Sequence, residues 1–304
     1  MIDVIFTGGT IGSAVENGYI APAGGQKKML FDLYQKQENV PSAEFRTHEP
    51  FYILSENMDA SHLNLLADTV RDILSSHADT EGIIILLGSD TLQYTAAYVG
   101  LLFRHAPVPI MLVCTNYVLT DARANGVENF TSAVKIICDH GRQGDGSLVC
   151  VPYKNPGSQS VVHNALALMP HLPYDDRLYS LPFDEAAFER EITACGLTLP
   201  DESARLTDIC PVQFIKPLPG QAYPNLQPHV RSVLLDTYHS GTIRTEGEEL
   251  ESFCKKAHEQ NIPVYLLGAD RPDQYESTKK YGELGIRVLR GISPVTAYML
   301  LWLS

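Results

Sequence analysis

Short apolar runs alternate with longer amphipathic segments along the first half of the chain. The runs predict buried β-strands at 2–6, 50–54, 82–87, 109–114 and 147–152. Between them, apolar residues recur at helical spacing and predict helices at 60–75, 91–105 and 127–139. Because strands that alternate with helices form parallel sheets covered on both faces, this half predicts a doubly wound α/β domain.

After about residue 170 the pattern weakens into a proline-rich, acidic stretch, and then it resumes. The second series predicts strands at 212–215, 233–237, 263–267 and 287–289 and helices at 246–259, 272–282 and 293–303. We therefore predict an α/β protein of two domains. The larger, with a mostly parallel doubly wound sheet, covers 1–175, and a smaller α/β domain covers 209–304. Residues 176–208 are predicted to form a connector with a short helix.

Composition and charge narrow the class of protein. The 304 residues are 44% hydrophobic and 19% charged, which is typical of a globular protein, and the net charge of -13 argues against nucleic acid or an anionic membrane as a partner. We expect no signal peptide and no membrane span, because the first strand begins at residue 2 and no apolar run is long enough. Six scattered cysteines without metal-type spacing predict reduced thiols and a cytoplasmic location. The sequence suggests no metal and no organic cofactor.

Residues able to perform chemistry follow the predicted strands of the first half. A glycine pair after the first strand is flanked by Thr7 and Thr10, and the pair Ser89-Asp90 follows another strand. Glycines let a backbone turn sharply and approach a ligand closely, at the strand ends where open α/β sheets bind ligands. Polar segments at 55–58 and 114–126 follow two more strands, so these side chains are expected to share one pocket. The pattern suggests acyl chemistry on a small molecule.

Each feature also has an ordinary structural explanation. A strand followed by two glycines is typical of a tight turn or a phosphate cradle, although no Walker lysine follows and the glycine spacing does not match the dinucleotide fingerprint. Ser55 and Asp90 are residue types that often cap helices. Tyr19, in a polar segment expected to be a mobile loop, is explained equally well as a loop aromatic. Hydroxyls at three successive strand ends favour a site over these alternatives.

Several short motifs keep a fixed order along the chain. They are Thr-Gly-Gly-Thr-Ile at 7–11, Ser-Glu-Asn-Met at 55–58, Gly-Ser-Asp-Thr at 88–91, Asn-Gly-Val-Glu-Asn at 125–129, Ile-Lys-Pro-Leu-Pro-Gly at 215–220 and Thr-Tyr-His-Ser-Gly at 237–241. With them the chain resembles the bacterial-type L-asparaginases and glutaminases over almost its whole length, and the last two look like the cytosolic branch. The resemblance implies that family's fold and hydrolysis of a side-chain amide.

The resemblance also implies a role for each matching residue. Thr10 is the nucleophile that forms an acyl-enzyme and releases ammonia, Tyr19 orients or deprotonates it, Ser89 replaces the family's second catalytic threonine, and Asp90 binds the substrate α-amino group. The implied substrate-binding residues are Gly9, Ser55, Glu56, Gly88 and Thr115. Backbone N–H groups near residues 9–10 and 89 stabilise the oxyanion, and the family implies a homodimer or homotetramer.

Three departures from the family pattern lie near this pocket. His163 stands about where the family has a buried lysine, and the lysine nearest to it is Lys154. Histidine can act as a base near neutral pH, but it is no permanent charge. The histidine that opens the second motif is Leu87, and the family's Gly-Ala-x-Arg-Pro is Cys-Thr-Asn-Tyr-Val at 114–118.

Two functions therefore stay open. The first is an amidohydrolase that acts on asparagine, glutamine or a related small amide. The second is a catalytically impaired protein that binds an acidic amino acid or amide ligand, which the missing lysine favours. In an oligomer of the family type, His239 and the acidic run at 246–249 are candidates to complete a neighbour's site.

Overall fold

The computed structural model describes residues 1–143, 148–268 and 274–304, and the chain divides into two units, Met1–Ser180 and Leu181–Ser304. In the described part of the chain, no helix is both long enough and apolar enough to cross a membrane.

Unit 1 contains a six-stranded sheet, a two-stranded hairpin and four α-helices among its described residues. In chain order they are β1 (Ile2–Phe6), β2 (Ser13–Glu16), β3 (Tyr19–Pro22), α1 (Gln26–Gln35), β4 (Phe45–His48), α2 (Ala60–Ser76), β5 (Gly82–Leu86), α3 (Leu92–Phe103), β6 (Ile110–Val113), α4 (Gly126–Gln143), β7 (Val149–Lys154) and β8 (Ser160–Asn164). The sheet order is β4-β1-β5-β6-β7-β8, and every neighbouring pair is parallel except β7 and β8. The carboxyl ends of five strands therefore lie along one edge.

Unit 2 has a four-stranded parallel sheet, ordered β12-β11-β10-β9. Its described elements are α5 (Glu185–Ala194), β9 (Val212–Ile215), β10 (Ser232–Leu235), α6 (Glu249–Glu259), β11 (Val264–Gly268), α7 (Lys279–Glu283), β12 (Arg287–Arg290) and α8 (Pro294–Leu303). The predicted fold class, a mostly parallel α/β sheet with a separate smaller α/β unit, is confirmed.

β1 is an interior strand of the first sheet, between β4 and β5. All five of its residues are buried, and alternate ones, Ile2, Val4 and Phe6, pack in one apolar cluster with Leu30 of α1 and Phe130 of α4. Asp3 lies on the strand's opposite face and is fully buried as well. A carboxylate at such a position needs partners, because burial of an unpaired charge is costly.

Several predicted boundaries in the chain are wrong. The strand expected at 50–54 is Phe45–His48 instead, and the apolar run contributes a single bridge from Ile53 to Gly8. The cause is that this edge strand is only half-buried and carries Arg46 and His48, so it has no apolar run to mark it. The helix expected at 272–282 is α7 with a 3-10 turn before it, and residues 147, 272 and 273 lie outside the described residues.

The segment around Tyr19 is also more regular than expected. It forms the β2–β3 hairpin instead of a loop, with Asn17 and Gly18 as the two turn residues at φ 52° and 84°. Positive φ at both central positions is the geometry of a type I′ turn, for which Asn-Gly is the favoured sequence.

Candidate functional site

The glycine pair after β1 brings three chain segments into contact. Gly8 and Gly9 have φ of 103° and 70°, and the Gly9 N–H donates to the Ile53 carbonyl oxygen at 2.8 Å. A Cβ on Gly8 would lie 2.2 Å from that same oxygen, and a Cβ on Gly9 would lie 2.2 Å from the Gly88 nitrogen. Only glycine fits both the space and the backbone angle, so the loop after β1 touches both the segment before α2 and the loop after β5.

Ser55 and Asp90 lie directly beside this crossing. A Cβ on Gly88 would stand 2.3 Å from Ser55 Oγ, and that hydroxyl donates to Asp90 Oδ2 at 3.4 Å. Thr91 Oγ1 donates to the Ser55 carbonyl oxygen at 3.1 Å. Ser55 is buried, Ser89 is half-buried and Asp90 is exposed. The structure thus joins Gly9, Gly88, Ser55 and Asp90 in one cluster that opens to solvent at the carboxylate; we call these four residues the strand-end cluster.

Helix capping does not account for these side chains. Asp59 caps α2 by accepting the His62 N–H at 3.0 Å, so Ser55 is not the cap of that helix. The cap position of α3 is Thr91, and it makes no side-chain capping hydrogen bond. The Asp90 carboxylate instead accepts a long hydrogen bond from Ser55. Because Asp90 is exposed, its carboxylate is available to a cationic ligand group.

The two threonines beside the glycine pair differ sharply. Thr7 is buried and its hydroxyl donates to the Leu86 carbonyl oxygen at 2.9 Å, so it is committed to holding β1 against β5. Thr10 is half-buried and begins the 3-10 turn Thr10–Gly12. Within the described ranges, the side-chain hydroxyls of Thr10, Tyr19 and Ser89 make no hydrogen bond to the protein. Because the Gly9 N–H is occupied by Ile53, the amides of Thr10 and Ser89 are the candidate oxyanion donors.

Tyr19 lies on β3, paired with Glu16, and its side chain is 77% exposed. Glu56 is exposed in the 3-10 turn Ser55–Asn57, one residue after Ser55. Within the described ranges, neither side chain is joined to the strand-end cluster by a hydrogen bond or an ion pair.

A cavity of about 400 Å³ lies next to the Thr10 turn, between the hairpin, the start of α1 and the segment before α2. Its walls include Phe6, Lys27, Glu49 and Tyr52, and Lys27 pairs with Glu49 at 2.8 Å. The Tyr52 hydroxyl donates to the Gly12 carbonyl oxygen, and burial raises the pKa of Tyr52. Tyr52 therefore fixes the turn that carries Thr10, although it lies outside the sequence motifs.

Thr115, after β6, is fully buried, and its hydroxyl donates to the Tyr117 carbonyl oxygen at 2.7 Å. Two asparagines of the 125–129 motif hold this loop. Asn125 exchanges side-chain to backbone hydrogen bonds with Asn116, at 3.0 and 3.1 Å. Asn129 joins the Cys114 carbonyl oxygen at 3.0 Å to the backbone N–H of Lys154 at 2.8 Å. This motif therefore fastens the loop after β6 to β7.

His163 occupies β8, opposite Val151 of β7. Its Nδ1 lies 2.9 Å from Ser180 Oγ, and Nε2 is buried with no hydrogen-bond partner among the described residues. Burial lowers the pKa of His163, so the ring is neutral near pH 7. Lys154 is paired with Glu128 at 2.9 Å. In the part of the chain that the structure describes, neither side chain is joined to the strand-end cluster by a hydrogen bond or an ion pair.

The remaining predicted positions have simple placements. Leu87 is fully buried directly after β5. In unit 2, His239 is exposed, and Glu249 from the acidic run lines a cavity of about 450 Å³ beside α6.

Comparison with known proteins identifies the family. A family model described as "Asparaginase, N-terminal" matches residues 1–167, which is more than half of the chain. The chain belongs to the asparaginase family. Asparaginase relatives include L-asparaginase 1 of Escherichia coli, 28% identical over 141 residues that cover 46% of this chain and 40% of that protein. A glutamyl-tRNA(Gln) amidotransferase component of Methanobrevibacter smithii is 25% identical over 98% of this chain and 70% of its own length.

Solved asparaginase structures share the fold. L-asparaginase I from Vibrio cholerae superposes with a TM-score of 0.72 at 21% sequence identity, covering 99% of this chain and 91% of that one. The resemblance predicted from the motifs is thereby confirmed at the level of family and fold.

Proposed function

We propose that this asparaginase-family chain hydrolyses the side-chain amide of asparagine or a related small amide to the acid and ammonia, through an acyl-enzyme on Thr10. The observation that carries the proposal is the contrast between the two threonines. The Thr7 hydroxyl is committed to a backbone carbonyl, whereas Thr10 is half-buried, unbonded to the described protein, and placed at the strand edge that also holds the strand-end cluster.

The reaction assigned to these residues has two halves. The Thr10 oxygen attacks the amide carbon, its proton is passed on with the help of Tyr19, and ammonia leaves with the amide nitrogen. Water then cleaves the resulting ester and restores the hydroxyl. An alcohol needs such activation because it is a weak nucleophile at its ordinary pKa. The N–H groups of Thr10 and Ser89 stabilise the oxyanion, each by about 3–4 kcal/mol.

The substrate's amino-acid end is assigned to the strand-end cluster. Asp90 is exposed and ionisable beside Ser55, which suits the recognition of an α-amino group. Ser55 and Glu56 complete this end, and Gly9 and Gly88 allow the substrate to approach the backbone. Thr115 is included by family resemblance, although its own hydroxyl is bonded to Tyr117.

For this mechanism the family resemblance implies a lysine near Ser89 and Asp90. His163 is proposed to occupy its position, as a neutral ring that cannot supply a permanent charge. This difference favours the second candidate function, an impaired family member that binds an acidic amino acid or amide ligand without turning it over.

One paired experiment separates the two functions. Purified protein is incubated with asparagine and with glutamine while ammonia is measured, and aspartate binding is measured by calorimetry. Glutamine is included because some relatives are named for glutaminase or tRNA amidotransferase activity. Ammonia release supports the enzyme, and binding without ammonia release supports the impaired protein. If the protein neither releases ammonia nor binds aspartate, both functions are refuted.

Two further properties belong to the proposal. A cytoplasmic location fits the six cysteines, which are all free thiols. A homodimer or homotetramer follows from the family resemblance, and analytical ultracentrifugation would measure it.

A further inference from the structure

A second cluster of reactive side chains lies at the opposite end of β1 from the strand-end cluster. Asp3, His48 and His77 each present a ligating atom, and these atoms all lie within 4.8 Å of one another. Asp3 comes from β1 and His48 from β4, while His77 is the residue that ends α2. Asp3 and Gly9 are separated by roughly 20 Å of largely extended chain, so this cluster is not part of the Thr10 site.

The Asp3 carboxylate is held rigidly in this cluster. It is fully buried, Oδ1 lies 2.7 Å from His48 Nε2, and Oδ2 accepts a hydrogen bond from Thr80 Oγ1 at 2.8 Å. A hydrogen bond from outside the ligand set, as from Thr80, is the usual way in which proteins orient a metal-binding carboxylate.

The positively charged side chain beside the cluster, Arg46, is bonded mainly to a different carboxylate. Arg46 approaches Asp3 Oδ1 at 3.4 Å but makes two shorter bonds, of 2.7 and 2.9 Å, to the Asp79 carboxylate. Arg46 is therefore bonded mainly to Asp79, and the shortest contact of Asp3 Oδ1 is the one with His48.

Access and geometry agree with a metal. Asp3 is buried, but His48 and His77 are half-buried, so an ion can enter from solvent past the two rings. Zinc bonds to nitrogen and oxygen ligands of about 2.0–2.2 Å set tetrahedral ligand atoms roughly 3.4 Å apart. The Asp3–His48 pair, at 2.7 Å, is closer than this, and all three ligating atoms lie within 4.8 Å of one another, so the side chains would rotate when the ion binds.

We infer that Asp3, His48 and His77 form a binding site for a divalent transition-metal ion, zinc in the first place, with water as the fourth ligand. Two imidazoles and one carboxylate are a donor set that zinc prefers. At this location the ion would link the end of α2 to β1 and β4. Its binding would therefore stabilise the folded protein. Ligands at positions 3, 48 and 77 have no common spacing, which explains why the sequence predicted no metal.

His77 gives the sharpest test. The hydrogen bonds of Asp3 with His48, Arg46 and Thr80 do not need it, and its ring lies 5.9 Å from the His48 ring between centroids. His77→Phe keeps an aromatic ring at this position and removes both ring nitrogens, including the ligating one. The matched control is His62→Gln, because His62 pairs with Asp59 at 2.7 Å in a histidine–carboxylate contact that lacks a third ligand.

The experiment is calorimetric titration of the tag-free full chain with Zn²⁺ after chelation, together with thermal unfolding with and without zinc. We expect one saturable site, a higher melting temperature with zinc, and at least a tenfold loss of affinity in His77→Phe, roughly the loss seen when even outer partners are removed. Asp3→Asn should lose the site as well, and His62→Gln should keep it.

The site would be refuted by the absence of saturable binding, by equal affinity in His77→Phe and the unmodified protein, or by an equal loss in His62→Gln. If Asp3→Asn does not fold, His77→Phe still decides the question.

Discussion

The two ends of β1 carry polar clusters built on opposite plans. At the amino end, Asp3 is buried and its two carboxylate oxygens are bonded to His48, Arg46 and Thr80. At the carboxyl end, the Asp90 carboxylate is exposed, and among the described residues its side chain accepts one long hydrogen bond of 3.4 Å, from Ser55.

This difference indicates that the cluster at the amino end contributes to stability and the cluster at the carboxyl end to ligand binding. A buried group whose bonds are all made within the protein contributes to folding, because the loss of one partner leaves the others unpaired. A polar group that is partly exposed and loosely paired contributes little to folding but can exchange its partner for a ligand. The close backbone crossing at Gly9 and Gly88 holds the second kind of group in place. On this basis, substitutions at the two ends of β1 should affect different measurements.

The largest effect is expected at Thr10. Thr10→Ala should lower kcat for amide hydrolysis at least about ten-thousandfold, equivalent to about 5 kcal/mol, because the proposed nucleophile is removed. Ammonia release in a coupled assay measures it. The neighbouring variant Thr7→Val should leave kcat nearly unchanged and cost about 0.5–1.5 kcal/mol of stability, since the buried Leu86 carbonyl loses the hydroxyl donor but keeps the Thr7 N–H. A reversed pattern would assign the nucleophile to Thr7.

The next effect concerns the backbone crossing. Gly9→Ala should destabilise the protein by about 2–5 kcal/mol, because it combines a positive φ with a Cβ placed 2.2 Å from the Gly88 nitrogen. Gly18→Ala is the matched control, since Gly18 has φ 84° but open space around its Cβ, and it should cost only about 1–2 kcal/mol. Denaturant unfolding gives both values, and equal costs would show that the loops after β1 and β5 are not tightly crossed.

Asp3 and Asp90 test the comparison most directly. Asp3→Asn should reduce the free energy of unfolding by about 2–3 kcal/mol, because hydrogen bonds to a charged group are lost in the interior, while kcat changes little. Asp90→Asn should do the opposite, with unchanged stability and a raised KM or lowered kcat. Unfolding is measured in the presence of a chelator, so that zinc does not contribute. If both substitutions act on the same quantity, the two ends do not differ in function.

The elements that could be predicted from the sequence are those whose burial produces a recognisable apolar pattern. Strand β5 is a continuous apolar run, β1 is interrupted only by Asp3, and α2 has both an apolar face and the Asp59 cap, so they were found almost to the residue. The strand-end motifs also identified Ser55 and Asp90 as neighbours.

What the sequence could not predict depends on tertiary contacts. The edge strand β4 carries Arg46 and His48 because they bind Asp3, and this pairing hides the strand from an apolar pattern. Likewise, His163 could be aligned with the family's lysine, but its bond to Ser180 depends on how β8 folds back on β7.

The smallest expected effect concerns His163. It tests whether this ring behaves as a buried group that contributes to folding or as a loosely paired group that can bind a ligand. Burial lowers the pKa of His163 in the folded state, while an unfolded histidine has a pKa of about 6.5. The unfolded chain therefore binds the proton first, and stability should fall as the pH drops below about 6.5, by at most about 1.4 kcal/mol per pH unit. His163→Gln should remove this part of the pH dependence, and His105→Gln, at an exposed position, should not. Unfolding free energies between pH 5 and 8 provide the measurement. An unchanged slope in His163→Gln would mean that the ring takes up its proton without loss of structure, as expected of a group open to a ligand.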